Sequence, residues 1–258
     1  MAERPSTDEA LFEYLLRLGD NCLILGHRTS EWCGKGPALE EDIALANTAL
    51  DLIGQTQLWL SLAGEIEGKG RTADDLAYKR DAMDFRNVLL VEQPNGDFGQ
   101  TLVRQFLFDA WHLPTLQALG DSSDSRLAEI AEKAIKEVTY HLERSTDLVI
   151  RLGDGTGESH ARLQRAVDAL WPLTDELREA DDIERTLAGD GMAADPDALA
   201  QAWDTHVSNV LSRATLSRPE DGHGRYKGSG KRGRHSEHLG YILAEMQFLP
   251  RTYPDASW

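Results

Sequence analysis

The chain is short of cysteine, of long apolar runs and of positive charge, and each shortage removes a class of protein. Its 258 residues hold two cysteines, Cys22 and Cys33, eleven apart and without a second pair. That is neither a disulfide framework nor a zinc ribbon, and the expectation is a reduced, cytoplasmic protein. The longest apolar runs, such as Cys22 to Leu25 and Val88 to Val91, are four residues, against about 20 for a membrane-spanning helix. The first ten residues are acidic and lack an apolar stretch, so no signal peptide is expected. Lys and Arg total 27 against 44 Asp and Glu, a net charge of −17, so a nucleic-acid backbone would be repelled. No G-x-S-x-G elbow occurs, and no strand is predicted that could carry a Rossmann fingerprint.

What is present is helical. Apolar residues make up 41%, enough for one large core. Ser6 and Glu9 form a capping-box pattern ahead of Leu11, Leu15, Leu18, Cys22 and Leu25, a helical period from about 7 to 30. Pro37, in a position that suits the first turn of a helix, precedes a second helix over about 38–66. Thr72 and Asp75 repeat the box before a third, about 73–91, and Pro94-Asn95-Gly96 makes a turn. Further helices are predicted over about 98–118, 124–152 and 157–187, then one opening at Asp195-Pro196 and a last over about 236–249. Long segments joined by short turns describe an antiparallel bundle. Residues 1–258 are therefore expected to form a single all-α domain, with a Gly-rich basic loop at 218–234 and a C-terminal helix and tail at 235–258.

The second predicted helix carries two apolar stripes, Leu39, Ile43, Ala46, Leu50 and Ile53 on one side and Leu45, Ala49, Leu52, Trp59 and Ala63 on another. A helix apolar around most of its circumference either sits centrally or offers a second contact surface to another chain. Long bundles of this kind can also cradle a di-iron centre through Glu-x-x-His pairs, because residues three apart share a helix face. Inside a predicted helix the acid-x-x-His pattern occurs once, at Asp109 to His112, and Glu137 and His141 stand four apart on another helix. The second helix offers Asn47, Asp51 and Gln55 on what reads as its inner face, but the position three after Asp51 is Gly54. The other acid-x-x-His match, Glu220 to His223, falls in the loop. The ligand set is half present. It favours a hydrogen-bonded network of Asn47, Asp51, Asp109, His112, Glu137 and His141 over a metal pair, and Pro114 is expected to kink the helix beside His112. The basic loop, with Lys227, Lys231 and Arg232, is either a solvated loop or a site for an anion or an acidic partner.

Several strings resemble the C-subunit family of bacterial phenylacetyl-CoA epoxidases: Leu18-Gly-Asp-Asn21, Glu31-Trp-Cys-Gly34, Ile43-Ala-Leu-Ala-Asn47, Leu89-Leu-Val-Glu-Gln-Pro-Asn-Gly96, Asp109-Ala-Trp-His112, Lys136-Glu137 with Tyr140-His141-Leu142, Arg151-Leu-Gly-Asp154, Glu237-His-Leu-Gly240 and Ala244-Glu-Met-Gln247. The resemblance implies a ferritin-like subunit without a working metal centre or cofactor of its own. It implies pairing with an iron-bearing catalytic A subunit, and further subunits that pass electrons from NADPH through flavin and iron–sulfur groups to epoxidise the ring of phenylacetyl-CoA. It also implies substrate proximity at Asp84, Phe85, Arg86 and Asn87, and more loosely at Arg185, Thr186 and Leu187. Two other readings stay open: a stand-alone di-iron oxidase using Asp51, Asp109, His112, Glu137 and His141, and a module that binds a CoA thioester.

Overall fold

The computed structural model describes residues 5–220 and 230–256. Among them there is no strand, and no helix is long and apolar enough to cross a membrane. Four long helices carry the architecture: α1 (Thr7–Ser30), α2 (Leu39–Glu67), α5 (Phe98–Gly120) and α6 (Ser125–Gly153). Short helices α3 (Ala73–Tyr78) and α4 (Leu89–Glu92) lie between α2 and α5. The chain goes on through α7 (Gly157–Leu170), α8 (Asp175–Arg178), α9 (Asp182–Gly189), α10 (Pro196–Arg213), α11 (Glu237–Met246) and α12 (Phe248–Thr252).

Cross-contacts set the topology. A Cβ on Gly19 or Gly26 of α1 would meet Leu60 or Ile53 of α2, so residue numbers fall along α2 as they rise along α1. Asp51 and Gln55 of α2 bond His141 and Glu137 of α6 in the same reversed order. Asp109 of α5 meets Ser145 of α6, while Gly120 faces Ile135. Trp32 at the end of α1 donates to Thr101 early in α5, and Cys22 lies beside His112. Each neighbour is antiparallel in the cyclic order α1, α2, α6, α5, so in chain order the four run up, down, down and up, with residues 68–97 as the long crossover from α2 to α5. Gly19 is what lets α1 and α2 close: a Cβ there would stand 2.5 Å from Leu60 Cδ2.

The expected helix starts are met. Ser6 and Glu9 cap α1 reciprocally, Thr72 and Asp75 cap α3, Asp97 caps α5, and Asp195 caps α10 with Pro196 in its first turn. Three boundaries differ. The predicted helix over 73–91 ends at Tyr78, because the chain then crosses the bundle through a turn at Ala82–Asp84, extended backbone at Phe85 and Val88 and the short α4, and bonds other elements instead. Arg86 N–H donates to Asp20 Oδ2 at 2.8 Å, Val88 N–H to Asn21 Oδ1 at 2.8 Å, and Leu89 N–H to Glu176 Oε2 at 2.7 Å. The helix predicted over 157–187 stops at Leu170, since Pro172 has no N–H to continue it, and resumes as α8 and α9. Pro37 precedes the cap residue Ala38 rather than opening α2. Pro114, by contrast, is carried inside α5 without breaking it.

One apolar core joins these helices, with Trp59, Trp171 and Trp203 fully enclosed. Trp203 on α10 donates its indole N–H to Leu107 O at 2.9 Å, which pins α10 to α5. α7 covers another side of α5, and α9 lies against α1.

Candidate functional site

Apart from Asn47, the polar groups singled out on the long helices gather inside the bundle, and several meet a neighbour, while the buried Nδ1 atoms of His112 and His141 have no hydrogen-bond partner among the described residues. From α2, Asp51 Oδ2 accepts from His141 Nε2 at 2.9 Å. One turn on, Gln55 Nε2 donates to Glu137 Oε2 at 2.9 Å. Two antiparallel helices with polar residues four apart thus pair twice. From α5, Asp109 accepts from Gln105 Nε2 at 2.7 Å and from Ser145 Oγ at 3.0 Å. His112 Nε2 lies 3.9 Å from Cys22 Sγ, which is also 3.8 Å from Gln55 Oε1. Asn47, expected on the inner face, is exposed. Gly54 also faces outward, so the inner position on α2 is four after Asp51, not three. Gln55, Gln105, Ser145 and Cys22 complete the network. Of these only Gln55 stands out in sequence, since the others carry no spacing signal.

Burial sets the electrostatics. Asp109 is fully enclosed, and desolvation lifts its carboxyl to about 6 against the pull of His141 and of its two donors. Burial, with His141 nearby, lowers His112 to about 3, so its ring is neutral. Glu137 is also raised by desolvation, against the hydrogen bond from Gln55. Burial drives the Cys22 thiol well above its ordinary range, which makes it inert as a nucleophile.

Does this set suit two irons? A di-iron centre draws on carboxylates and imidazoles aimed at shared metals. Here Asp51 and His141 face each other, Glu137 faces an amide, and Asp109 faces an amide and a hydroxyl. Among the described residues no three His, Cys, Asp or Glu side chains gather into a metal-holding group. As placed, these carboxylates are turned to neighbouring side chains rather than to one shared point.

A family model described as phenylacetic acid catabolic protein matches residues 2–258. The chain belongs to that family. A curated relative, the C subunit of 1,2-phenylacetyl-CoA epoxidase from Escherichia coli (strain K12), is 48% identical over 248 residues, which cover 96% of this chain and 99% of the relative.

Within this member of the family, several of the recognisable strings fasten the crossings of the bundle. In Leu18-Gly-Asp-Asn21, Gly19 admits α2, while Asp20 pairs with Arg80 inside the protein, with side chains 0% and 3% exposed. Asn21 holds Val88. In the Val-Glu-Gln-Pro-Asn-Gly string, fully buried Glu92 accepts from Asn87 Nδ2, from His235 Nδ1 at 2.9 Å and from Ser236 N–H at 2.6 Å. Asn95 ties Arg28 and Glu31 to α5 through Arg104. Gln247 donates to Ala77 O and Arg80 O.

The stretches tied to substrate by resemblance both lie against α1: Arg86 reaches Glu13 and Asp20, and α9 packs on the same helix. Asp84 is exposed and Arg86 partly so, its guanidinium on Glu13; Phe85 and Asn87 are buried. Of the second stretch, Thr186 and Leu187 are buried and Arg185 is exposed, 4.0 Å from Asp197. Lys231 reaches in to Glu184 Oε1 at 2.6 Å and Glu179 O at 2.9 Å, so its charge is already met within the fold. Arg232 is exposed, and the adjoining Gly233 packs on Met83 O beside Arg86. Lys227 and His223 lie outside the described residues.

The remaining site is a surface. Of the two stripes on α2, the one through Leu45, Ala49, Leu52, Trp59 and Ala63 is buried. The other leaves Leu39 72%, Ile43 53%, Leu50 70% and Ile53 38% exposed. Tyr140 on neighbouring α6 is exposed as well. Four large apolar side chains thus stand exposed along one helix face.

Proposed function

We propose that the chain is a non-catalytic structural subunit of a multicomponent 1,2-phenylacetyl-CoA epoxidase, which pairs with and steadies a di-iron A subunit in aerobic phenylacetate degradation. The observation that carries this is the pairing-off at the bundle centre: Asp51 with His141, Gln55 with Glu137, and Asp109 with Gln105 and Ser145. Carboxylates held by an imidazole, amides and a hydroxyl in this way stabilise a bundle without a metal. The bare stripe on α2 supplies the docking surface, and an obligate interface built on it would bury on the order of 2,000 Å² or more. Iron would reside in the A subunit, and the NADPH, flavin and iron–sulfur groups in a reductase.

The test is co-expression with the A subunit, followed by the mass and iron content of what is purified. The reading expects a stable hetero-oligomer whose iron scales with the copies of the A subunit. A monodisperse chain that ignores the A subunit, or stoichiometric iron in this chain purified alone, overturns it.

A further inference from the structure

α2 holds a glycine for which its own fold has no use. Gly54 lies in the middle of a 29-residue helix, where glycine weakens helical structure relative to alanine. It adopts no left-handed backbone, and a Cβ there would meet nothing within 4 Å. Gly19, Gly26 and Gly64 differ, since each admits a neighbour within the chain. The outward positions of α2 have a second regularity. Ile43, Asn47, Leu50, Gly54, Gln57 and Ser61 are all exposed and follow one another at alternating intervals of four and three. That alternation is the seam spacing of two helices packed at a shallow angle, with a polar residue such as Asn47 suited to setting register.

We infer that a helix of a partner subunit lies along this seam and comes closest to α2 at Gly54. The inference rests on the pairing proposed above and deepens it by naming the contact. A helix suits the seam, since ridges at this spacing accept a second helix along the five turns from Ile43 to Ser61. It belongs to a different chain because two copies of this one, each carrying −17, repel. Exposed Glu40 and Glu65 toward the ends of the seam suit Lys or Arg on the partner. The large side chains Ile43 and Leu50 fill the partner's grooves, and the missing side chain at 54 lets the two backbones approach.

The test compares Gly54→Ala and Gly54→Leu with Leu50→Glu, each as the purified chain and co-expressed with the catalytic A subunit. Both Gly54 variants should fold, with a Tm equal to the parent or about 2 °C higher, since they gain helix propensity in open space. Gly54→Leu should nevertheless weaken pairing about tenfold or more, because a side chain now fills the closest approach. Should Leu50→Glu abolish pairing while Gly54→Leu pairs normally, the crossing point is wrong and the subunit reading stands. Normal pairing by both variants shows that the partner docks elsewhere and overturns the inference. A shift in self-association of the isolated chain, without loss of pairing, overturns it in favour of a second copy.

Discussion

Replacing Asp109 by Asn should make this protein more stable at neutral pH, an unusual outcome for an acid at the centre of a bundle. The carboxyl is fully enclosed and titrates near 6 in the folded protein, against about 3.9 in an unfolded chain. Between those values the folded state holds a proton that the unfolded state has released, so stability falls as pH rises from about 4 to 6 and stays lower above it. Two pH units correspond to about 3 kcal/mol. Asn mimics the protonated acid without that cost. Its amide can donate to Gln105 Oε1, a buried atom that has no hydrogen-bond partner among the described residues, and it can still meet Ser145. The expected gain is about 2–3 kcal/mol at pH 7.5, read as a Tm rise of roughly 5–10 °C, and close to nothing at pH 4. Urea or thermal unfolding of parent and variant across pH 4–8 measures it. His112 runs the other way: its ring, lowered to about 3, must gain a proton on unfolding below about 6.5, so its contribution is lost as pH falls through that range. Comparing variant and parent at each pH removes that background. Destabilisation by Asn at pH 7.5, or a gain equally large at pH 4, would refute the assignment of Asp109 as a desolvated acid in a structural network.

Other outcomes follow from the same contacts. Asp20→Ala strips the partner from buried Arg80 and the acceptor from Arg86 N–H; chemical unfolding should show a loss of about 3–5 kcal/mol, and less than 1 kcal/mol would mean that the crossing segment is held by something else. Gly19→Ala forces a Cβ onto Leu60 and should cost about 1–3 kcal/mol, with a melting temperature unchanged from the parent counting against close approach of α1 and α2.

The core of the architecture is legible in the chain because it depends on local signals. Ser6 with Glu9, Thr72 with Asp75, and Asp97 announce helices through bonds that their own side chains make to nearby backbone. The shortage of ligands on α2 is legible too, since no His lies between His27 and His112. The inner register of α2 is legible in part: Asp51 and Gln55 face α6 as expected, whereas Asn47 turns outward. The crossing at 79–92 is hidden, because its backbone is served by Asp20, Asn21 and Glu176, residues distant in sequence whose role no local pattern announces.

By itself, then, the sequence determined that this is a bundle of long amphipathic helices with an incomplete set of ligands, since periodicity and capping are properties of a single helix. The tertiary structure decided which stripe of α2 is covered by α1 and α6 and which stays exposed, and which neighbours the central polar groups take. Those choices depend on the relative rotation of neighbouring helices, which is set by packing between them: Gly19 seats α2, and the Asp51–His141 and Gln55–Glu137 pairs settle α6.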